Sequence, residues 1–161
     1  MGEEDAPAAA GERSGRHLHP RHGARRRALD VLYQADVTDA LPSEVLREWA
    51  EYGEDVPEFA RELVEGVEGN LAELDALIAE RSEGWTVARM AVVDRTILRL
   101  ACYELLHRPD VPVSAAISEA VEAATELSTE DSGRFVNGIL GKITRERGDA
   151  SPSGDATPSS S

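Results

Sequence analysis

From about Arg21 to Ile143 the apolar residues of this chain recur every three or four positions, and nowhere do they alternate for long. That period belongs to helices packed on one face rather than to strands. Ala24, Ala28, Val31, Leu32 and Ala35 form one stripe and predict a first helix over Gly23–Thr38. Leu41-Pro42-Ser43 breaks the chain, and Ser43 is placed to cap a short helix to about Tyr52. Pro57 fits the first turn of a long third helix that ends near Gly84, with Leu63, Val67, Leu71, Leu74 and Ile78 facing inward. Gly66 and Gly69 within it point to close helix packing. Thr86 is placed to cap the next helix, Val87–His107, with Trp85 and Met90 as a hydrophobic staple. Met90, Val93, Ile97, Leu98, Leu100, Ala101 and Leu105 cover most sides of that helix, as expected of a buried central element. Arg108-Pro109-Asp110-Val111-Pro112 forces a turn. Val113, Ala116, Ile117, Ala120, Val121 and Ala124 then predict a helix over Val113–Leu127. Ser128-Thr129-Glu130-Asp131-Ser132 caps a last helix that fades by Gly148. The expected architecture is all-α, a compact bundle of about six to seven helices.

The last helix carries the most informative stretch. Phe135, Val136, Ile139, Leu140 and Ile143 keep helical spacing, yet Asn137 and Gly138 interrupt it. A mid-helix glycine costs about 1 kcal/mol relative to alanine. Such a cost is accepted where another backbone or a ligand must come close.

Composition adds limits. The 161 residues fit one domain, residues 21–147, between aperiodic segments 1–20 and 148–161 that are expected to be disordered tails. No apolar run approaches the roughly 20 residues that cross a bilayer, and the N-terminus lacks the apolar core of a secretory signal. Cys102 is the only cysteine, so no internal disulfide forms and a cytoplasmic location is expected. The net charge of −14 is unevenly placed. Arg13 to Arg27 holds six arginines, three histidines and no acid, whereas the rest holds 11 Lys+Arg against 31 Asp+Glu. This segregation suggests one anion-binding edge on a surface that otherwise repels nucleic acid. A basic tail that only aids solubility is the plainer alternative.

Enzyme chemistry is absent from the pattern. No phosphate-binding glycine loop and no nucleophile motif occurs. His17, His19 and His22 have no Cys or acidic ligand at zinc-site spacing, so no metal is expected. Cys102 reads as a small core residue, and Glu58, Glu62, Glu65 and Glu68 as a solvated face. No cofactor is implied. What remains is binding. RNA recognition needs phosphate neutralisation and flat groups on which unpaired bases stack. Arg21, His22, Arg25, Arg26 and Arg27 supply charge, and Phe135 supplies a flat face unless it is a core aromatic. Asp131 and Ser132 can hydrogen-bond base edges, Arg134 can reach phosphate, and Asp131 can equally cap its helix. Tyr33 falls beside the basic edge or beside a partner.

Arg21-His22-Gly23-Ala24-Arg25-Arg26-Arg27 ahead of Tyr33, and Asp131-Ser132-Gly133-Arg134-Phe135-Val136-Asn137-Gly138, resemble the NusB family of transcription antitermination factors, in an actinobacterial-like form. Val93-Asp94-Arg95-Thr96-Ile97-Leu98-Arg99 resembles a family segment that meets a partner, and Leu105 to Val121 also matches. The resemblance implies two packed helical subdomains and no enzymatic activity. It implies binding of boxA-like single-stranded leader RNA together with NusE, a small-subunit ribosomal protein, within an RNA polymerase elongation complex. Arg21, His22, Arg25, Arg26, Arg27, Asp131, Ser132, Arg134, Phe135 and Asn137 would face RNA, and Asp94 and Tyr33 would face the partner. Ser118 stands where the family usually has Asn, and His22-Gly23 interrupts the arginine run. The alternative from another class is a helical interaction module that forms a homodimer without touching RNA. The same domain also heads some RNA methyltransferases, and 161 residues leave no room for their catalytic domain.

Overall fold

The helical spacing resolves into seven α-helices and one 3-10 turn among residues 20–150, which are the residues the computed structural model describes. They are α1 (Pro20–Thr38), α2 (Pro42–Glu51), α3 (Glu58–Gly69), α4 (Leu71–Arg81), the turn Val87–Arg89, α5 (Val92–His107), α6 (Val113–Leu127) and α7 (Glu130–Ala150). The tails expected at residues 1–19 and 151–161 lie outside the described residues; Pro20 and residues 148–150, also assigned to tails, are helical. The all-α bundle expected from the periodicity is the fold observed.

α5 is the central element. It packs on α1, α3, α4, α6 and α7, so it joins the N-terminal group α1–α3 to the C-terminal helices. Ile97, Leu98, Leu100, Ala101 and Cys102 of α5 are buried against Leu63, Leu74, Ile78, Leu140 and Ile143. Each fully buried aliphatic side chain contributes about 1.5–3 kcal/mol, which exceeds what helix propensity alone provides.

Several local expectations give way. The long third helix is two helices broken at Asn70, whose φ of −123° and ψ of 21° leave the helical basin. Its side-chain amide donates to the Gly66 carbonyl at 2.8 Å and so terminates α3. The break turns Leu71, expected inside, out to solvent. Ser43 caps nothing: α2 starts at Pro42, and Ser43 donates its backbone N–H (2.8 Å) and hydroxyl (3.2 Å) to Glu68 of α3. Thr86 makes no capping bond, Trp85 stays exposed, and α5 begins only at Val92. Val113 is exposed because it opens α6, where its neighbours have not yet reached the core. Thr129 does cap α7, accepting the Ser132 N–H at 2.9 Å.

Close approach occurs at two glycines. A Cβ on Gly66 would lie 2.1 Å from the Tyr103 ring, and one on Gly133 would lie 2.3 Å from the Thr125 hydroxyl. Gly69 and Gly138 face open space instead. The glycine cost at 138 therefore has no intramolecular counterpart.

Candidate functional site

Of the basic segment, Arg21 to Arg27 lie inside α1, with Arg25, Arg26 and Arg27 in its second turn rather than opening it, and Arg13, Arg16, His17 and His19 lie outside the described residues. The fold gives Arg21, His22, Arg25, Arg26 and Arg27 an acid each. The Arg21 guanidinium donates to Asp110 at 2.6 Å and lies 4.3 Å from the centre of the Phe59 ring. His22 Nδ1 is 2.8 Å from Glu119 Oε1, Arg26 donates to Glu126 at 2.9 Å, and Arg27 donates to Glu54 at 3.0 Å. Arg26 holds the Glu126 carboxyl below its usual range. Arg108 and Arg21 together hold Asp110 far below the ordinary carboxylate range.

Arg25 departs most from expectation. It is 7% exposed and makes three hydrogen bonds of 2.9–3.0 Å to Glu104, which is 2% exposed. Burial pushes the Glu104 carboxyl up, and Arg25 pulls it back. The pair joins α1 to α5 beneath the surface, so Arg25 is held in the fold rather than presented to solvent as a phosphate contact would be. Its spacing in the arginine run gives no sign of this, because the buried acid lies 79 positions away.

On α7 the residues predicted for RNA divide by face. Asp131, Arg134 and Asn137 are exposed along one strip, and Arg134 is ion-paired to Asp131. Phe135 is partly buried and packs against the core, so the core reading and the surface reading each hold in part. Ser132 is buried; its hydroxyl donates to Asp94 Oδ2 at 3.1 Å and lies 2.9 Å from the Ser128 hydroxyl. Asp94, expected on a separate partner surface, therefore shares a cleft of about 350 Å³ with Asp131, Ser132, Phe135 and Trp85. The neighbouring arginines of α5 do not pair with Asp94, since Arg99 and Arg95 are taken by Asp75 and Asp36. Tyr33 is exposed at the mouth of another cleft of about 200 Å³, lined by Leu29, Val93, Ile97 and Leu127.

α6 lies between the two regions. Its Glu119 and Glu126 tie down α1, and its other side packs on α7 at Gly133. Phe59, Trp85 and the acids of α6 lie beside the expected site residues and are not singled out for binding by the sequence. Trp85 reads as a staple position and Phe59 carries no reading, and only the fold puts solvent against the one and arginines against the other. His22, Glu119 and Glu122 also come together, with one ligand atom from each within 4.8 Å of the others. The acids come from α6, so no local spacing announces that set.

Fold and surface together define an all-α helical bundle with an ion-paired basic edge and an aromatic-lined cleft. The NusB family model matches residues 22–145. A transcription antitermination protein NusB from Salinispora arenicola is 52% identical over 127 residues, covering 76% of this chain and 93% of that one. Its counterpart from Leifsonia xyli is 48% identical over 136 residues, covering 81% and 94%. Among solved structures, T. maritima NusB superposes with a TM-score of 0.72 at 40% identity, covering 79% of this chain and 92% of that one. A crystal structure of antitermination factors NusB and NusE in complex with dsRNA gives 0.71 at 28% identity, covering 80% and 98%. This chain belongs to the NusB family. It is a transcription antitermination factor and not an enzyme, and among the described residues no helix is long and apolar enough to cross a membrane.

Proposed function

We propose that the chain binds boxA-like single-stranded leader RNA together with NusE and promotes read-through of ribosomal RNA operons within the RNA polymerase elongation complex. The observation that carries this reading is the α7 strip of Asp131, Arg134 and Asn137 beside the half-buried Phe135. It offers edge-reading groups, a cation and an aromatic face in one place. Arg21, His22, Arg26 and Arg27 supply the phosphate-facing charge once RNA displaces their acids. Tyr33 and its apolar cleft supply the partner face, while Asp94 lines the separate cleft beside Phe135. Self-association through the same clefts would mask both surfaces and so regulate them.

The test is RNA binding by the purified protein, with and without NusE, to a boxA-like strand and a scrambled strand. Sequence-selective binding that tightens with NusE is expected. Neutralising about three phosphates on a single strand gives a log–log salt slope of roughly −2. Equal, weak binding to both strands would instead leave the homodimeric interaction module, which sedimentation with and without RNA would detect.

A further inference from the structure

The turn between α4 and α5 holds a large aromatic side chain in the open. Glu83 (φ 51°) and Gly84 (φ 95°) both take left-handed backbone, which is disfavoured for a residue with a Cβ such as glutamate. The turn is pinned on two sides. The buried Ser82 hydroxyl donates to the Trp85 carbonyl, and Lys142 of α7 donates to Glu83 Oε2 at 2.5 Å. Trp85 is nevertheless 55% exposed. A constrained turn that spends strain to display a tryptophan is a pre-organised contact surface.

What Trp85 faces narrows the ligand. It lines the cleft of about 350 Å³ with Phe135, Asp94, Asp131, Arg89 and Met90. Asp94 Oδ2 accepts from Ser132, but Asp94 Oδ1 is buried with no hydrogen-bond partner among the described residues. Buried carboxylate oxygens almost always have a donor. Two aromatic side chains on one cleft suit a flat ring, carboxylate oxygens suit amino hydrogens on its edge, and Arg89 suits an adjoining phosphate.

We propose that this cleft holds one unpaired nucleobase bearing an exocyclic amino group, with Trp85 and Phe135 as its stacking walls and Asp94 and Asp131 as acceptors for its edge. The assignment rests on the RNA-binding reading above and adds Trp85 as a residue that selects the base. Trp85 is exposed and makes its turn contacts through backbone, so Trp85→Ala is expected to keep the melting temperature of the parent. Its affinity for the boxA-like strand should fall roughly 5- to 150-fold, while Trp85→Phe should restore most of it. A set of strands each lacking one base should contain one position at which parent and Trp85→Ala bind alike. In a Trp49→Phe background, where Trp85 is the remaining tryptophan, saturating RNA should quench its fluorescence.

Unchanged affinity in Trp85→Ala, with RNA binding otherwise intact, would overturn this assignment alone. So would finding no missing-base position that cancels the difference. Loss of NusE binding with RNA binding retained would make the cleft a protein dock and overturn it too. Failure of the parent to bind RNA at all would instead take down the broader reading.

Discussion

At the basic edge, Arg21, His22, Arg25, Arg26 and Arg27 each already have an acid; at the Trp85 cleft, a carboxylate oxygen has no donor among the described residues and a tryptophan faces water. The two regions would therefore meet RNA differently. A phosphate arriving at the edge must displace a carboxylate, so its gain is the difference between two ion pairs and falls with salt. A base arriving at the cleft displaces water from an aromatic side chain, which salt hardly affects. Charge in the sequence is thus not the same as charge available to a ligand. On the proposed reading the edge would supply a salt-dependent, sequence-blind contribution and the cleft would supply selectivity.

The comparison breaks hardest at Arg25. If it belongs to the fold, Arg25→Ala leaves Glu104 buried and unpaired and costs about 3–5 kcal/mol of stability by urea denaturation. Replacing both partners with apolar residues, Arg25→Met with Glu104→Leu, should return most of that loss. The double variant should then bind RNA like its parent. A stable double variant with RNA affinity lost would put Arg25 back among the phosphate contacts.

Phe135→Ala has the next largest effect. If Phe135 stacks on a base from its half-buried position, RNA affinity should fall about 1–3 kcal/mol in a titration of the folded protein. The accompanying stability loss should stay below the roughly 3–5 kcal/mol of a fully buried aromatic. Full core-sized destabilisation with unchanged affinity would remove the ring from the binding surface and leave Trp85 as the cleft's aromatic contact.

How far the sequence was readable follows from what each signal encodes. The all-α class and the central place of α5 were legible, because a stripe at 3.6-residue spacing is local information and the bundle has no other way to bury it. The break at Asn70 was not, since Leu63, Val67, Leu71, Leu74 and Ile78 continue the period straight across it. The strip of Asp131, Arg134 and Asn137 was legible because one helix carries all three. The acids of the basic edge were not, because Glu104, Asp110, Glu119 and Glu126 approach α1 only through tertiary packing. The same limit made Asp94 and Ser132 read as members of two surfaces when a 3.1 Å hydrogen bond joins them.

The smallest effect gives the sharpest distinction between the regions. Glu126 is half exposed, so its pair with Arg26 stabilises the fold by no more than about 1 kcal/mol and Glu126→Gln should fold normally. If Arg26 must leave Glu126 to reach phosphate, removing that charge should strengthen RNA binding by about 0.2–1 kcal/mol at low salt. The gain should shrink as salt screens both competing pairs. Adding Arg26→Ala should abolish it and reduce the magnitude of the salt slope by roughly 0.7, the share of one phosphate on a single strand. Neither change should alter the fluorescence response of Trp85, since screening and stacking act at different places. No gain from Glu126→Gln, with the slope unmoved by Arg26→Ala, would mean the α1–α6 ion pairs stay closed when RNA binds and only the α7 side carries the contact.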